Sequence, residues 1–504
     1  MSAQNTPGAA MGKKGERKAM RPSNGMTRRG FLRITGAGLA GASLPWLAGC
    51  GGGSGSSGAS AGGGEWKQFS GMTINFISEN TAPTSAIAAN LTPFKKLTGI
   101  SVTIQQLELT SLAQRVALDF GSHSGEYQVI YADPYQVMAP LHDGFTDLKE
   151  FMEDSSLPSV PKGTGDFIPT QLDAAGHFGD RLLALPYDAP TMIWCYRKDL
   201  FEKYHDRMKE DLGFDPTPSD SSTWEQYYRI AKWFNDNQDD VPYGAGHQAK
   251  QHDALMCDFS NVLWAYGGDY FEKGQKVGKL GTTDPGPSTL DSPEAIEAAK
   301  LYKKLIEIAH PGSTSWDWND LGEAFGAEEV AMCPEWHEFA AAWEVGSLKG
   351  NIGYARLPKG PARSANHYGG TGIAVNRYAS EDQQKAAWLF VVWATSPEAQ
   401  LMDLKSSVGG GTPTRTSVYQ MPEVKHNKNP LTNMPNIVTA PAVLEAWEPQ
   451  NIGLRPKIPS WNQCDTIIYS QVSQMLTAGK NPEDAMRDAK IEIDQAVKGV
   501  PSAI

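Results

Sequence analysis

The run Leu182-Leu183-Ala184-Leu185-Pro186-Tyr187-Asp188, followed after a short gap by Trp194-Cys195-Tyr196-Arg197-Lys198-Asp199-Leu200-Phe201, decides the fold. It is one of a series of short β-rich runs. Upstream, Met72–Ile77 and Ile100–Leu107 read as strands, and Gln128-Val129-Ile130-Tyr131 reads as a short buried one. Between the first two, Thr84–Leu97 carries helix-like spacing and stops at Thr98-Gly99. Downstream helices announce their starts. Thr223-Trp224-Glu225-Gln226 has capping-box form, while Ser292-Pro293-Glu294, Ser396-Pro397-Glu398 and Asn481-Pro482-Glu483 each place a cap, a proline in the first turn and an acid at the positive helix end. In the helix from Pro293, residues Ala295, Ala298, Ala299, Tyr302, Leu305 and Ile306 fall on one face and form a core stripe. Strands alternating with helices predict α/β layers.

The chain has 504 residues and a formal net charge of −12, a length that implies more than one domain. Eight basic residues and the single acid Glu16 lie within the first 49 positions, so the remainder carries 37 basic and 56 acidic side chains, a net charge of −19. Nucleic acid and anionic lipid headgroups repel such a surface, and nucleic-acid binding is the least favoured function class. Beyond the N-terminus no stretch approaches the roughly 18 uninterrupted apolar residues that a membrane span needs. The five cysteines are widely spaced without a Cys-x-x-Cys, which suggests neither a zinc ribbon nor a disulfide scaffold, and four of them are expected as small buried hydrophobes.

Thr27-Arg28-Arg29-Gly30-Phe31-Leu32-Arg33, the Gly- and Ala-rich run to Trp46, and then Leu47-Ala48-Gly49-Cys50 resemble a twin-arginine export signal ending in a lipoprotein cleavage box. The resemblance makes residues 1–49 a removed signal and Cys50 a lipidated N-terminus. Residues 50–71 are then the lipidated Cys and its tether, whose Gly/Ser run 51–64 has an r.m.s. span of about 20 Å. Gly36-Ala37-Gly38-Leu39-Ala40-Gly41 and Gly58-Ala59-Ser60-Ala61-Gly62 match nucleotide-binding and nucleophile-elbow patterns, but neither has the flanking strand that the chemistry requires.

The quoted run around Tyr187 and Trp194 resembles the extracellular solute-binding proteins of carbohydrate importers, the group that includes maltose-binding protein. The resemblance continues through Leu263-Trp264-Ala265-Tyr266-Gly267-Gly268-Asp269, Glu328–Trp336, Gly369–Val375, Ala386–Phe390, Gly411-Thr412-Pro413-Thr414-Arg415 and Pro482–Asp494. It is the order and spacing of these pieces over roughly 72 to 500 that is specific. The implied fold is α/β and two-lobed, periplasmic-binding-protein-like, each lobe a mostly parallel sheet flanked by helices and the lobes joined by hinge crossings. The implied lobes are 72–187 with 371–411, and 188–370 with 412–504. Crossings are expected near Pro186–Ala189, Tyr368–Thr371 and Gly409–Thr414, where residues tolerate or impose unusual backbone angles.

A hydroxyl-rich solute needs flat apolar faces and planar polar groups, because an unmade buried hydrogen bond costs about 1–3 kcal/mol. Trp264, Trp316 and Trp336 are candidates for the first role, beside Asp269 and Glu335; the family places an aromatic in the cleft at the position of Trp336. Glu79 and Asn80 follow the first strand, and Asp133, with Pro134 and Tyr135, follows the third, where ligands gather outside the carboxyl ends of strands. The alternative for Glu79 and Asp133 is to cap the next helix. Tyr187 and Asp188 line the cleft or belong to the hinge; Tyr368, Gly369 and Gly370 sit at a second crossing. His247 is a candidate hydrogen-bond partner of the solute, and Arg415 either holds a ligand oxygen or pairs with a cleft acid. His247 and His252 are not spaced as a helical metal pair, and neither metal nor cofactor is expected.

These residues support an extracytoplasmic lipoprotein, on the outer face of the cytoplasmic membrane or periplasmic, and monomeric. It would capture a sugar, oligosaccharide or polyol and deliver it to the permease subunits of an ABC importer. The competing classes are an exported glycoside hydrolase, since acids near tryptophans also suit that chemistry, and the same fold binding a peptide, polyamine or metal.

Overall fold

The computed structural model describes residues 64–498 apart from 238–239, 276–277, 345, 407–409, 426–437 and 439; the export signal, Cys50, Gly409 and nearly all of the Gly/Ser run lie outside the described residues. The strands are β1 (Thr73–Glu79), β2 (Ser101–Leu107), β3 (Val129–Ala132), β4 (His177–Phe178), β5 (Arg181–Leu182), β6 (Ala184–Asp188) and β7 (Met192–Arg197), then β8 (Tyr243–Ala245), β9 (Val330–Trp336), β10 (Ile352–Ala355), β11 (Asn366–His367), β12 (Thr371–Val375) and β13 (Ile452–Gly453). They build a five-stranded sheet in the order β2-β1-β3-β12-β6 and a four-stranded sheet in the order β10-β7-β9-β8.

Each sheet is mostly parallel, with a single strand against the rest: β12 in the first and β7 in the second. In the first, β1 runs parallel to β2 and β3, but β12 is antiparallel to β3 and β6. In the second, β8 is parallel to β9, while β7 is antiparallel to β9 and β10. The antiparallel strands are those that enter a sheet directly from a crossing. β7 follows β6 through 189–191, and β12 follows β11 through 368–370, so each enters against the direction of its neighbours.

Local sequence explains the flanking helices. Ser292 accepts from the Ala295 amide at 3.2 Å to start the helix Pro293–Ile308, whose residues Ala295, Ala298, Ala299, Tyr302, Leu305 and Ile306 are all buried as the stripe predicts. The expected single helix over 84–97 is two, Ala82–Ala89 and Thr92–Thr98, because the chain breaks at Asn90-Leu91 and restarts with Pro93 in the first turn, where a missing N–H is harmless. The helix Glu381–Ala394 covers the first sheet: Phe390 lies 5.6 Å from Phe76, and Trp388 is fully buried against Phe151 with its indole N–H on the Pro158 carbonyl at 3.1 Å. Cys195, Cys257, Cys333 and Cys464 are buried free thiols.

The crossings are tied to one another. Thr191 bridges Tyr368, the Gly369 amide donates to the Pro190 carbonyl at 2.9 Å, and the Thr412 amide donates to Asp188 at 2.7 Å. Beyond Thr412, the Thr414 hydroxyl donates to the Pro186 carbonyl at 2.9 Å, Arg415 bridges Phe167, and the Ser417 amide donates to Asp166 at 3.0 Å.

Candidate functional site

The carboxyl end of β1 presents Glu79, and that of β3 presents Asp133, as strand direction requires. Asp133 is buried and caps the turn Pro134–Met138, accepting from the amides of Tyr135 at 2.9 Å and Gln136 at 2.6 Å. Burial raises its pKa against the pull of Arg455 and of those two amides. Glu79 is half-buried. Burial and the neighbouring Asp133 push its carboxyl up to about 8, although a hydrogen bond from Tyr131 opposes the shift; Asp253 and Glu108 add to it. Asn80 is exposed, with its amide on the Leu107 carbonyl at 2.8 Å.

The turn after Asp133 crosses to the other lobe. Tyr135 is fully buried within the second lobe's hydrophobic core, and the Arg455 guanidinium lies over its ring at 4.4 Å. The Gln136 amide nitrogen donates to Asp253 at 3.0 Å and to Asp465 at 2.8 Å, and its carbonyl accepts from Asn462 at 3.1 Å. Arg455 donates to Asp253 at 2.8 Å. Burial would raise the Asp253 pKa, but Arg455 and then His252 bring it below the ordinary range; burial and the Asp253 charge push Asp465 well up.

Trp336 ends β9 half-buried, its ring 5.6 Å from His367 and directly over Gly369, where a Cβ would come within 2.6 Å of it. His367 donates from Nδ1 to the Cys257 carbonyl at 3.0 Å, and burial with the nearby Arg455 lowers its pKa to about 3, so Nε2 is a neutral acceptor. Nε2 of His367, the hydroxyls of Tyr135 and Tyr368, and Nε of Arg455 are buried without a partner among the described residues. Burial, and then the neighbouring Tyr135, hold the Tyr368 hydroxyl well above its ordinary pKa. Hydroxyl groups of a solute can satisfy such atoms, each of which otherwise costs about 1–3 kcal/mol.

Behind this cleft, Asp188 and Glu338 both accept from the Thr412 amide, at 2.7 and 3.0 Å. Burial pushes Asp188 up to about 6, and burial with the Asp188 charge holds Glu338 well above the usual carboxylate range. Neutral His337 completes the chain: its Nδ1 accepts from the Thr191 amide at 3.1 Å and its Nε2 lies 2.9 Å from the Thr412 hydroxyl. Tyr187 is buried beside Asp188. Gly370 admits the Tyr368 ring, which a Cβ there would strike.

The other residues expected at the ligand have these protein neighbours. His247 is fully buried, with Nδ1 2.7 Å from Asp258. Arg415 is fully buried inside the first lobe, over Phe167 at 3.8 Å and bonded to the carbonyls of Thr395 and Pro161 and to Asp166. Trp264 sits in the second-lobe core against Tyr270 and His367, Asp269 caps its own following residue, and Trp316 stacks on His310 at 4.4 Å. Glu335 is fully buried and accepts from the Trp336 amide at 2.8 Å; burial holds it well above the usual carboxylate range. Sequence reasoning did not select Gln136, Asp253, His367, Arg455, Asn462 or Asp465. The one available signal was Leu454-Arg455-Pro456-Lys457-Ile458, two cations in an apolar, proline-punctuated run. Among the described residues no group of three or more His, Cys, Asp and Glu could hold a metal ion.

The comparisons agree with this architecture. A probable amino-acid ABC transporter periplasmic-binding protein of Sinorhizobium fredii is 24% identical over 86% of this chain and 91% of its own length. The erythritol/L-threitol-binding protein of Mycolicibacterium smegmatis is 24% identical over 78% of this chain and 82% of its own. The maltose-bound MalE3 of T. maritima superposes with a TM-score of 0.70 at 24% identity, covering 84% of this chain and 99% of that one, a likeness of fold. Residues 78–401 match the model of the family described as bacterial extracellular solute-binding protein, and with the two mixed sheets and their three tied crossings this chain belongs to that family.

Proposed function

We propose that the chain captures a sugar or polyol between its two lobes and delivers it to the membrane subunits of an ABC importer, after export by the twin-arginine route and anchoring through lipid on Cys50. The observation that carries the ligand class is the meeting, between the lobes, of a tryptophan face, carboxyls at strand ends and buried polar atoms without protein partners. Hydroxyls both donate and accept, so one polyhydroxylated molecule can pair the His367 acceptor, the Arg455 donor and the two tyrosine hydroxyls. The name of the mycobacterial relative and the maltose of the Thermotoga structure agree with this class; the name of the Sinorhizobium relative favours an amino acid.

Hydrolysis fits the carboxyls less well. Asp253 and Asp465 are pinned side by side under one Gln136 nitrogen, and Asp188 and Glu338 under one Thr412 amide, whereas a glycosidase holds its two carboxyls apart on either side of the scissile bond. A thermal-shift screen of sugars, polyols and amino acids tests the reading. A ligand at 100 times its dissociation constant stabilises the folded state by about 2.7 kcal/mol. Stabilisation by amino acids and by no hydroxylated solute refutes the reading, and release of reducing sugar refutes pure binding.

A further inference from the structure

We propose that Asp188 and Glu338 hold one proton between them at the crossings, and that its loss drives the two lobes apart, which makes the opening of the protein proton-dependent. The inference takes from the reading above only that the lobes move about the crossings, and it needs no solute. Its basis is a pair of carboxyls supplied by the two different sheets. Asp188 is the last residue of β6 in the five-stranded sheet and is paired with Thr371 of β12. Glu338 lies in the turn His337–Phe339, directly after β9 of the four-stranded sheet. The third crossing joins them, because the single Thr412 amide lies 2.7 Å from Asp188 and 3.0 Å from Glu338. Gly411 lets the backbone come this close: a Cβ there would stand 3.2 Å from the Asp188 carboxyl oxygen.

Nothing positive faces the pair. The Thr412 hydroxyl donates to Glu338 and lies 2.9 Å from Nε2 of His337, whose imidazole burial keeps neutral down to about 4. Among the described residues neither carboxyl forms an ion pair with a lysine or arginine. Tyr187 on β6, Tyr131 on β3, Tyr368 at the second crossing and Tyr419 on the helix Thr416–Tyr419 are neutral phenols, which burial, with Asp188 among the neighbouring charges, holds well above their ordinary range. Asp403 is a third carboxyl held high by burial and then by Asp188, but its helix Pro397–Leu404 packs on Glu381–Ala394, which covers the first sheet, so its charge and that of Asp188 belong to one lobe. Two charges on Asp188 and Glu338 instead set lobe against lobe, whereas one proton turns the contact into a charge-assisted hydrogen bond. When that proton passes to solvent the pair goes from one negative charge to two. Both carboxyls are raised in the folded protein, so the tie is complete in acid and is lost as pH rises through their folded range.

The test is small-angle X-ray scattering of the mature chain, stripped of solute, for the wild type, Glu338→Gln and Asp188→Asn, between about pH 5.5 and about pH 9.5, which spans the range of raised buried carboxyls. Each amide keeps the shape of the acid and supplies the hydrogen that the proton supplied, so neither variant can place two charges at the crossings. The radius of gyration of the wild type should rise reversibly with pH, and both variants should keep the low-pH radius throughout. A wild-type radius that is constant over this range overturns the proposal. So does an equal rise in the variants, which would assign the titration to another interlobe pair such as Asp253 and Asp465. Urea unfolding over the same range gives a second reading if one variant does not fold: the remaining amide variant should lose less stability than the wild type as pH rises, and parallel curves overturn the proposal. Because no solute is present, each of these failures leaves the sugar-or-polyol reading standing, and the solute screen can fail without touching the proton.

Discussion

Replacing Trp336 by alanine should weaken solute binding by roughly 5- to 30-fold without destabilising the fold in proportion. The indole is half-buried, with one side over Gly369 and His367, so part of the ring remains for a ligand. If a solute covers roughly 40–80 Å² of that ring, at about 25 cal/mol per Å² the lost contact is about 1–2 kcal/mol. A desolvated aromatic anchor raises this toward about 2 kcal/mol or more. The assay is a titration followed by intrinsic fluorescence or calorimetry, with whichever solute responds in the screen. Trp388→Phe is the control. That ring is fully buried on Phe151 and donates to Pro158, so its loss should lower the unfolding free energy by about 1–3 kcal/mol and leave affinity unchanged. Affinity within twofold of wild type in Trp336→Ala would remove this tryptophan from the cleft.

Glu79→Gln should flatten the pH dependence of stability. The folded pKa of Glu79, about 8, lies above the ordinary 4.5, so its stabilising contribution is full below pH 4.5 and is lost as pH rises through 8. Urea unfolding should therefore show the variant gaining on the wild type across that window, by up to about 5 kcal/mol; a constant difference refutes the assignment. Arg415→Met should cost about 3–5 kcal/mol of stability by stranding Asp166, with affinity unchanged, and a selective loss of affinity would return Arg415 to the cleft. Cys50→Ser should release the protein from membranes, as measured by fractionation and mass spectrometry of the N-terminus; unaltered retention contradicts lipidation there.

The parts of the fold legible in the sequence are those set by neighbours in the chain. Thr223 and Gln226 exchange bonds at 2.9 and 3.2 Å, and Asn481 accepts from the Glu483 amide at 2.9 Å, so these helix starts announce themselves within four residues. The cleft was legible only in part, because its polar members are defined by partners far along the chain. Gln136 meets Asp465 across 329 positions, and Arg455 meets Asp253 across 202. Arg415, read as holding a ligand oxygen or pairing with a cleft acid, meets its acid, Asp166, across 249 positions.

The central claim is that two lobes close on a hydroxylated solute, and the energetic condition is that the solute binds the closed state more tightly than the open one. Small-angle X-ray scattering of the ligand-stripped protein, with and without a saturating sugar or polyol shown to bind by calorimetry, measures this most directly. The account predicts a smaller radius of gyration with solute, and a smaller contraction in Gln136→Ala, where the bridge to Asp253 and Asp465 is missing. A radius that does not change on saturation would contradict it.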